Sequence, residues 1–447
     1  MSERMHLNLF TMNSVEHVTI GSWRYPGDQS RRYTDREYWT EVARTAERGG
    51  FDGIFFADVR GIYDVYDDAR EPAIERAVQT PSNDPAYLVP AMAEVTDHIG
   101  FAITKSTSYN HPYQLARELS TLDHTTGGRV AFNIVTSFLE SAAANLGLDD
   151  RLDHDERYDR AQEFMDVCYR LWEHSWADDA VVRDSEGGVY TDPEGVHPID
   201  YEGEYFEVPG PHSAEPSPQR TPVLYQAGSS DRGREFAAKN AEAVFVSQPT
   251  AAKVESYMAD LRERAAGYGR DPDALRFFPG IVPIVGETEE IAAAKHDSYR
   301  EYVDVEGVLA LLSGFVDVDL SELDPDQRIE HIETEAIQGT VNAFAGGESE
   351  WTVREMAEFA GLGTTSPVVV GTPEQVADEF EHWFTEVGVD GFNVKEIVRP
   401  DTLTEFVDMV VPVLRERGLL REQYDGGTLR GTLRGQQRLD DSHPGRS

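Results

Sequence analysis

Cysteine is all but missing: Cys168 stands alone in 447 residues, which excludes an intramolecular disulfide and any multi-cysteine metal site. Lysine is nearly as scarce. Of 40 basic residues only Lys105, Lys239, Lys253, Lys295 and Lys395 are lysines, leaving 35 arginines. No window approaches the roughly 20 apolar residues of a membrane span. The opening MSERMHLNLF has no apolar stretch long enough for a signal peptide, so the expected compartment is the cytoplasm. Also missing are a Gly-x-x-x-x-Gly-Lys-Ser/Thr loop, a Gly-x-Gly-x-x-Gly turn after a strand and a Gly-x-Ser-x-Gly elbow. ATP hydrolysis, a Rossmann nicotinamide site and α/β-hydrolase chemistry therefore lose their usual support.

What is abundant is acid. The 82 Asp and Glu residues bring the net charge to −42, and they are spread along the chain rather than gathered in a tail. That distribution implies a carboxylate-coated surface instead of a local binding patch. It is the pattern of a halophilic protein, in which molar salt screens the repulsion, and it repels nucleic acid and anionic membranes. With 40% apolar and 10% aromatic residues, the chain can bury the core of one barrel with insertions or of two medium domains.

Hydrophobic periodicity separates these. A short strand over Leu7–Phe10 is followed by a helix with Thr34 and Glu37 as a capping box and Gly49-Gly50 as its stop. Phe51–Ala57 is a nearly continuous apolar run, as in strands covered on both faces. Strands at Ile99–Thr104, Val130–Val135, Pro222–Ala227, Ala243–Val246, Phe277–Val285 and Gly391–Ile397 follow, with helical patterns between them. A helix beginning at Asp153 has that residue and Glu156 as a second capping box. Eight alternations predict a (β/α)8 TIM barrel, although periodicity alone leaves a doubly wound sheet open. The barrel is expected to occupy residues 1–423 as one domain. Insertions interrupt it at about 176–220, rich in Gly, Pro, Asp and Tyr, and at 287–366, the candidate for substrate selection. The tail, 424–447, reads as an arm or a disordered segment.

Chemistry in such barrels sits where strands finish. Asp58 follows Ile54–Ala57, Thr104 closes its strand, and Asn133, Thr136 and Ser137 lie in or just after Val130–Val135. For any one of these a capped turn is the commoner explanation; their recurrence at one end is harder to dismiss. The stretch Tyr225-Gln226-Ala227-Gly228-Ser229-Ser230-Asp231 passes from strand to helix through small residues, a turn that suits either a serine cap or a phosphate monoester. His154 and Tyr158 are four apart on one helix face; Tyr is a poor zinc partner and the His-Glu-x-x-His spacing is absent, so the pair makes better sense as donors to an anion. No metal site is expected, and Cys168 reads as a core residue.

Beyond these physical signals, His154-Asp155-Glu156-Arg157-Tyr158, His197-Pro198-Ile199-Asp200-Tyr201-Glu202-Gly203 and Gln226-Ala227-Gly228-Ser229-Ser230 resemble the nitrilotriacetate and dibenzothiophene-sulfone monooxygenase branch of the bacterial-luciferase-like flavoproteins. Gly371-Thr372-Pro373-Glu374 and Asp390-Gly391-Phe392-Asn393 carry the same likeness, which runs from about residue 5 to about residue 430. The resemblance implies an FMN-dependent monooxygenase that receives FMNH2 from a separate NAD(P)H:flavin reductase and oxidises a small organic substrate with O2 through a flavin C4a-(hydro)peroxide. It implies a homo-oligomer, places Asp58 and Thr104 beside the flavin ring and ribityl chain, and gives Ser137, His154, Tyr158, Ser229 and Ser230 to the ribityl hydroxyls or phosphate. His17, Trp23, Tyr63 and His331 are candidates for the substrate side, and no general base stands out. A deazaflavin-dependent oxidoreductase on the same barrel and a non-catalytic flavin-binding protein are the alternatives.

Overall fold

Eight strands carry the frame: β1 (His6–Met12), β2 (Gly53–Ala57), β3 (Gly100–Ser106), β4 (Val130–Val135), β5 (Val223–Gln226), β6 (Ala243–Val246), β7 (Arg276–Val285) and β8 (Gly391–Lys395). Each pairs in parallel with the next. β1 closes the ring on β8 through His6↔Gly391 to Phe10↔Lys395, and β6 pairs with β7 from Ala243↔Arg276. The computed structural model describes residues 4–148, 153–248, 250–329, 351–425 and 427–446. The predicted (β/α)8 barrel is therefore what forms, and the doubly wound sheet is excluded by the closure.

The alternation of side chains explains the sequence of each strand. On β1, Leu7 and Leu9 face outward into the main apolar layer beneath the helices, while Asn8 and Phe10 point into the barrel. Inside, Asn8 Nδ2 donates to Asn393 Oδ1 at 3.1 Å and to the Tyr225 hydroxyl at 3.3 Å. Phe10, Phe55, Ala102, Ala131, Val223, Tyr225, Ala243 and Phe278 fill the rest of the interior. Strands apolar on both faces leave no polar period, hence the continuous runs.

The main helices are α1 (Arg36–Arg48), α2 (Pro112–Thr126), α3 (His154–Tyr169), α4 (Asp231–Asn240), α5 (Ala251–Gly267), α6 (Glu289–Arg300), α7 (Val305–Val316), α8 (Val353–Ala360), α9 (Pro373–His382) and α10 (Leu429–Arg434). Two expected caps are corrected. Asp35, not Thr34, caps α1 by accepting from the Glu37 N–H at 2.9 Å. Asp153 stands at the cap of α3 but makes no side-chain cap bond. No helix among the described residues is long and apolar enough to cross a membrane.

The first insertion holds two hairpins, Val181–Asp184 with Val189–Thr191 and Tyr201–Glu202 with Glu207–Val208. The second supplies α6, α7 and α8. Just past it, a short strand that the periodicity missed, Val368–Gly371, pairs with the outer half of β7 from Val282↔Val368 to Val285↔Gly371. A separate apolar cluster joins this insertion to the barrel mouth, with Val308, Leu309 and Leu312 of α7 against Ile20, Tyr63 and Leu139.

The expectation of a loose C-terminal arm is overturned. Leu429 and Leu433 of α10 enter the interior cluster, and Leu429 lies so close to Gly100 that a Cβ there would meet its Cδ1 at 2.6 Å. Between them Arg430, fully buried, binds Glu242 through Nε at 2.8 Å and Nη2 at 2.9 Å. α10 is thus a stopper in the N-terminal end of the barrel. Its mere six residues and the glycines around it give a sequence pattern too short to read as core.

Candidate active site

At the opposite end, where the strands finish, lies a cavity of about 560 Å³. Its wall includes His17, Asp58, Thr104, Ser137, His154, Tyr158, Ser229 and Ser230, eight residues singled out from sequence and brought together from loops after β1, β2, β4 and β5, the end of β3 and the start of α3. Three candidates behave differently. Tyr63 stands one layer back: its hydroxyl donates to Gln79 Oε1 at 2.9 Å, and Gln79 lines the wall. Trp23 is half-buried in a short turn away from the lining, its backbone N–H 3.1 Å from Glu16 Oε1. His331 lies outside the described residues.

One end of the cavity is rich in hydrogen-bond donors. The turn from β5 to α4 is pulled tight because Gly228 and Gly233 face each other; a Cβ on Gly228 would stand 2.8 Å from Gly233 Cα. Ser230 caps α4, accepting from the Gly233 N–H at 3.1 Å, while Ser229 is exposed toward the cavity and free of that duty. The Tyr257 hydroxyl donates to the Gly228 carbonyl and pins the turn. Across from it, Ser137, with a left-handed φ of 53°, donates to Ser106 Oγ at 2.7 Å, and its carbonyl accepts from Arg157. Arg157, missed by the sequence reading although it lies inside a quoted motif, and Tyr158 join the same wall. Burial raises the Tyr158 hydroxyl pKa, which keeps it a donor. Helix-start N–H groups, hydroxyls and a guanidinium suit a phosphate.

Deeper in, the chemistry changes from donors to acceptors. Thr104 donates to the Phe56 carbonyl at 2.7 Å and accepts from Asn133 Nδ2 at 2.7 Å. That fixes Asn133 and leaves its Oδ1 without a partner; Gln226 Oε1 is also buried and unpartnered among the described residues. A buried acceptor left bare costs free energy on the order of 1–3 kcal/mol, so two on one cavity wall mark a place for a ligand N–H. Asp58, desolvated and near Asp84, has its pKa raised to about 6.

Lys395, at the end of β8, is the residue that sequence reasoning overlooked most clearly. It was noted only as one of five lysines, yet it lines the cavity fully buried, with Nζ 3.0 Å from the Gly363 carbonyl and 3.3 Å from Thr364 Oγ1. Its ammonium lies 5.6 Å from the Phe10 ring centre and 6.0 Å from that of Phe245. Burial lowers its pKa to about 7. The signal was available: a lysine is out of place in a buried strand of a lysine-poor chain. His17, packed 4.5 Å from Phe10, is held neutral by burial and by the nearby positive charges of Arg399 and Lys395.

Known proteins give this geometry its setting. The luciferase-like monooxygenase family matches residues 13–391. Dimethyl-sulfide monooxygenase of Hyphomicrobium sulfonivorans is 47% identical over 99% of this chain and 93% of its own. Long-chain alkane monooxygenase of Geobacillus thermodenitrificans is 48% identical, covering 99% and 97%, and nitrilotriacetate monooxygenase component A of Aminobacter aminovorans is 38% identical, covering 97% of each. Among solved structures, a riboflavin lyase crystallised with a modified FMN superposes with a TM-score of 0.90 at 34% identity, covering 99% of this chain and 98% of that one. In fold and along nearly its whole length, this chain belongs to the luciferase-like monooxygenase family.

Proposed function

We propose that the chain is the oxygenase component of a two-component system, taking reduced FMN from a separate NAD(P)H:flavin reductase and using O2 to oxidise a small organic substrate. The observation that carries this is the pairing, in one cavity, of a donor-rich anion seat with two buried acceptors that lack donors. Ser137, His154, Tyr158, Ser229 and Ser230 would hold the phosphate and ribityl hydroxyls. Asn133 and Gln226 offer their bare oxygens to the ring N–H, with Asp58 and Thr104 alongside. Reduced FMN supplies the electrons that activate O2, delivering one oxygen atom to the substrate and the other to water. The chain's own part is to orient the ring, exclude water with Phe10, Phe55 and Phe245, and keep a neutral His17 beside the substrate space.

The direct test is a titration with oxidised FMN followed by flavin fluorescence. Ser229→Asp puts a carboxylate at the start of α4, where it repels the phosphate, and should weaken binding at least tenfold. The fold should survive because Ser230, not Ser229, caps the helix. Unchanged FMN affinity would remove the phosphate assignment. With a flavin reductase, NADH and FMN supplied, product formed under labelled O2 should carry one labelled oxygen; label found only in water would defeat the oxygenase reading.

A further inference from the structure

Away from the anion seat the cavity wall changes character. Phe138, just after β4, and Phe315, on the last turn of α7, both line it and are the large aromatics left open there, at 36% and 39% exposure. Their ring centres are 6.1 Å apart in an edge-to-face pair. Each also packs on buried Tyr63, at 6.4 Å and 6.1 Å. The triangle holds because Gly314 lets α7 press onto Tyr63: a Cβ there would stand 2.0 Å from the tyrosine Cδ1. Val18, Leu139 and Ala142 continue the same apolar wall. Two of the three contacts are edge to face and the Tyr63–Phe138 contact is tilted; rings at these distances form a stable surface that a mobile apolar guest can join.

Asp64, beside Tyr63, has its pKa raised by burial, with Glu140, Asp68 and Asp317 close enough to add to the rise. Arg60 also lines the cavity, and its charge lowers the pKa of Asp58 against the effect of burial.

We propose that Phe138 and Phe315 determine specificity, admitting a small uncharged apolar molecule to the wall that they form. This rests on the oxygenase reading of the same cavity. Residue choice on the insertion thereby sets the substrate class, with α7 bringing Phe315 to a barrel whose flavin end stays the same.

The experiment is calorimetric binding of two probes, diethyl sulfide and nitrilotriacetate, to the protein with and without FMN. Diethyl sulfide should bind at least tenfold more tightly than nitrilotriacetate. Phe138→Ala and Phe315→Ala should each weaken diethyl sulfide about tenfold while leaving FMN affinity within twofold, and Phe315→Leu should restore most of the loss. Equal or tighter binding of nitrilotriacetate, or alanine variants that bind diethyl sulfide like the parent, would overturn the proposal. A failure of FMN to bind defeats the flavin reading separately, because the FMN-free titrations still report on the apolar wall.

Discussion

Lys395 and Glu16 show how strongly the barrel mouth bends ordinary acid–base behaviour. Burial brings Lys395 from 10.5 down to about 7. Between those values the unfolded chain keeps the proton and the native chain does not, so this group makes native stability rise with pH across the window. In Lys395→Met that rise should be smaller by about 2 kcal/mol between pH 7 and pH 9, measured from urea unfolding at each pH; identical slopes would show that the lysine titrates normally. Glu16 has the opposite sign. Burial outweighs its two backbone N–H bonds, from Gly21 at 2.6 Å and Trp23 at 3.1 Å, and raises its pKa from 4.5 to about 8. The native chain holds a proton that the unfolded chain loses, so this group costs stability as pH rises through that range. Glu16→Gln keeps the acceptor and should be near neutral at pH 5 but stabilising at pH 9, a contrast that thermal unfolding at the two pH values would check. Single residues at strand ends were legible in the sequence because a polar group after an apolar run is a local signal. Arg157 was not, since its meaning depends on partners such as Ser137; Lys395 carried a local signal in its odd placement, but its partner Gly363 had none.

Elements divide in the same way. Strands could be read from their continuous apolar runs and barrel helices from their 3.6-residue period, whereas the register of β1 on β2 and β8 emerges only in the closed barrel. α10 could not be read, because its core role comes from the hole it fills. The Arg430–Glu242 pair inside that stopper makes a sharp prediction. Burial would push the Glu242 carboxyl up, but the Arg430 guanidinium overrides it and holds the pKa at about 2. Arg430→Ala leaves a buried carboxylate without its cation and should destabilise by roughly 3–5 kcal/mol. Arg430→Met combined with Glu242→Gln should cost clearly less, as urea midpoints of the two proteins would show. Equal losses would mean that packing, not charge, dominates this contact. The second insertion is an intermediate case: its helices were visible, but its docking on Tyr63 through Gly314 is a long-range contact with no local trace.

For the whole molecule the dominant quantity is the net charge of −42. Self-repulsion of that size opposes compaction, and salt relieves it. We propose adaptation to high salt, and the melting temperature should climb steadily from 0.1 M to 2 M KCl, about as much in KCl as in NaCl. A flat profile would count against it. The closure of the barrel has one more consequence, in the order of synthesis. β1, made first, needs β8 as a neighbour, and the floor needs Leu429 from the final stretch of chain. The nascent protein is therefore an open sheet with an unpaired β1 edge for nearly all of its time on the ribosome, a template for mispairing. Its barrel can be closed and stoppered only after β8 and then Leu429 have been made, behind all the other strands.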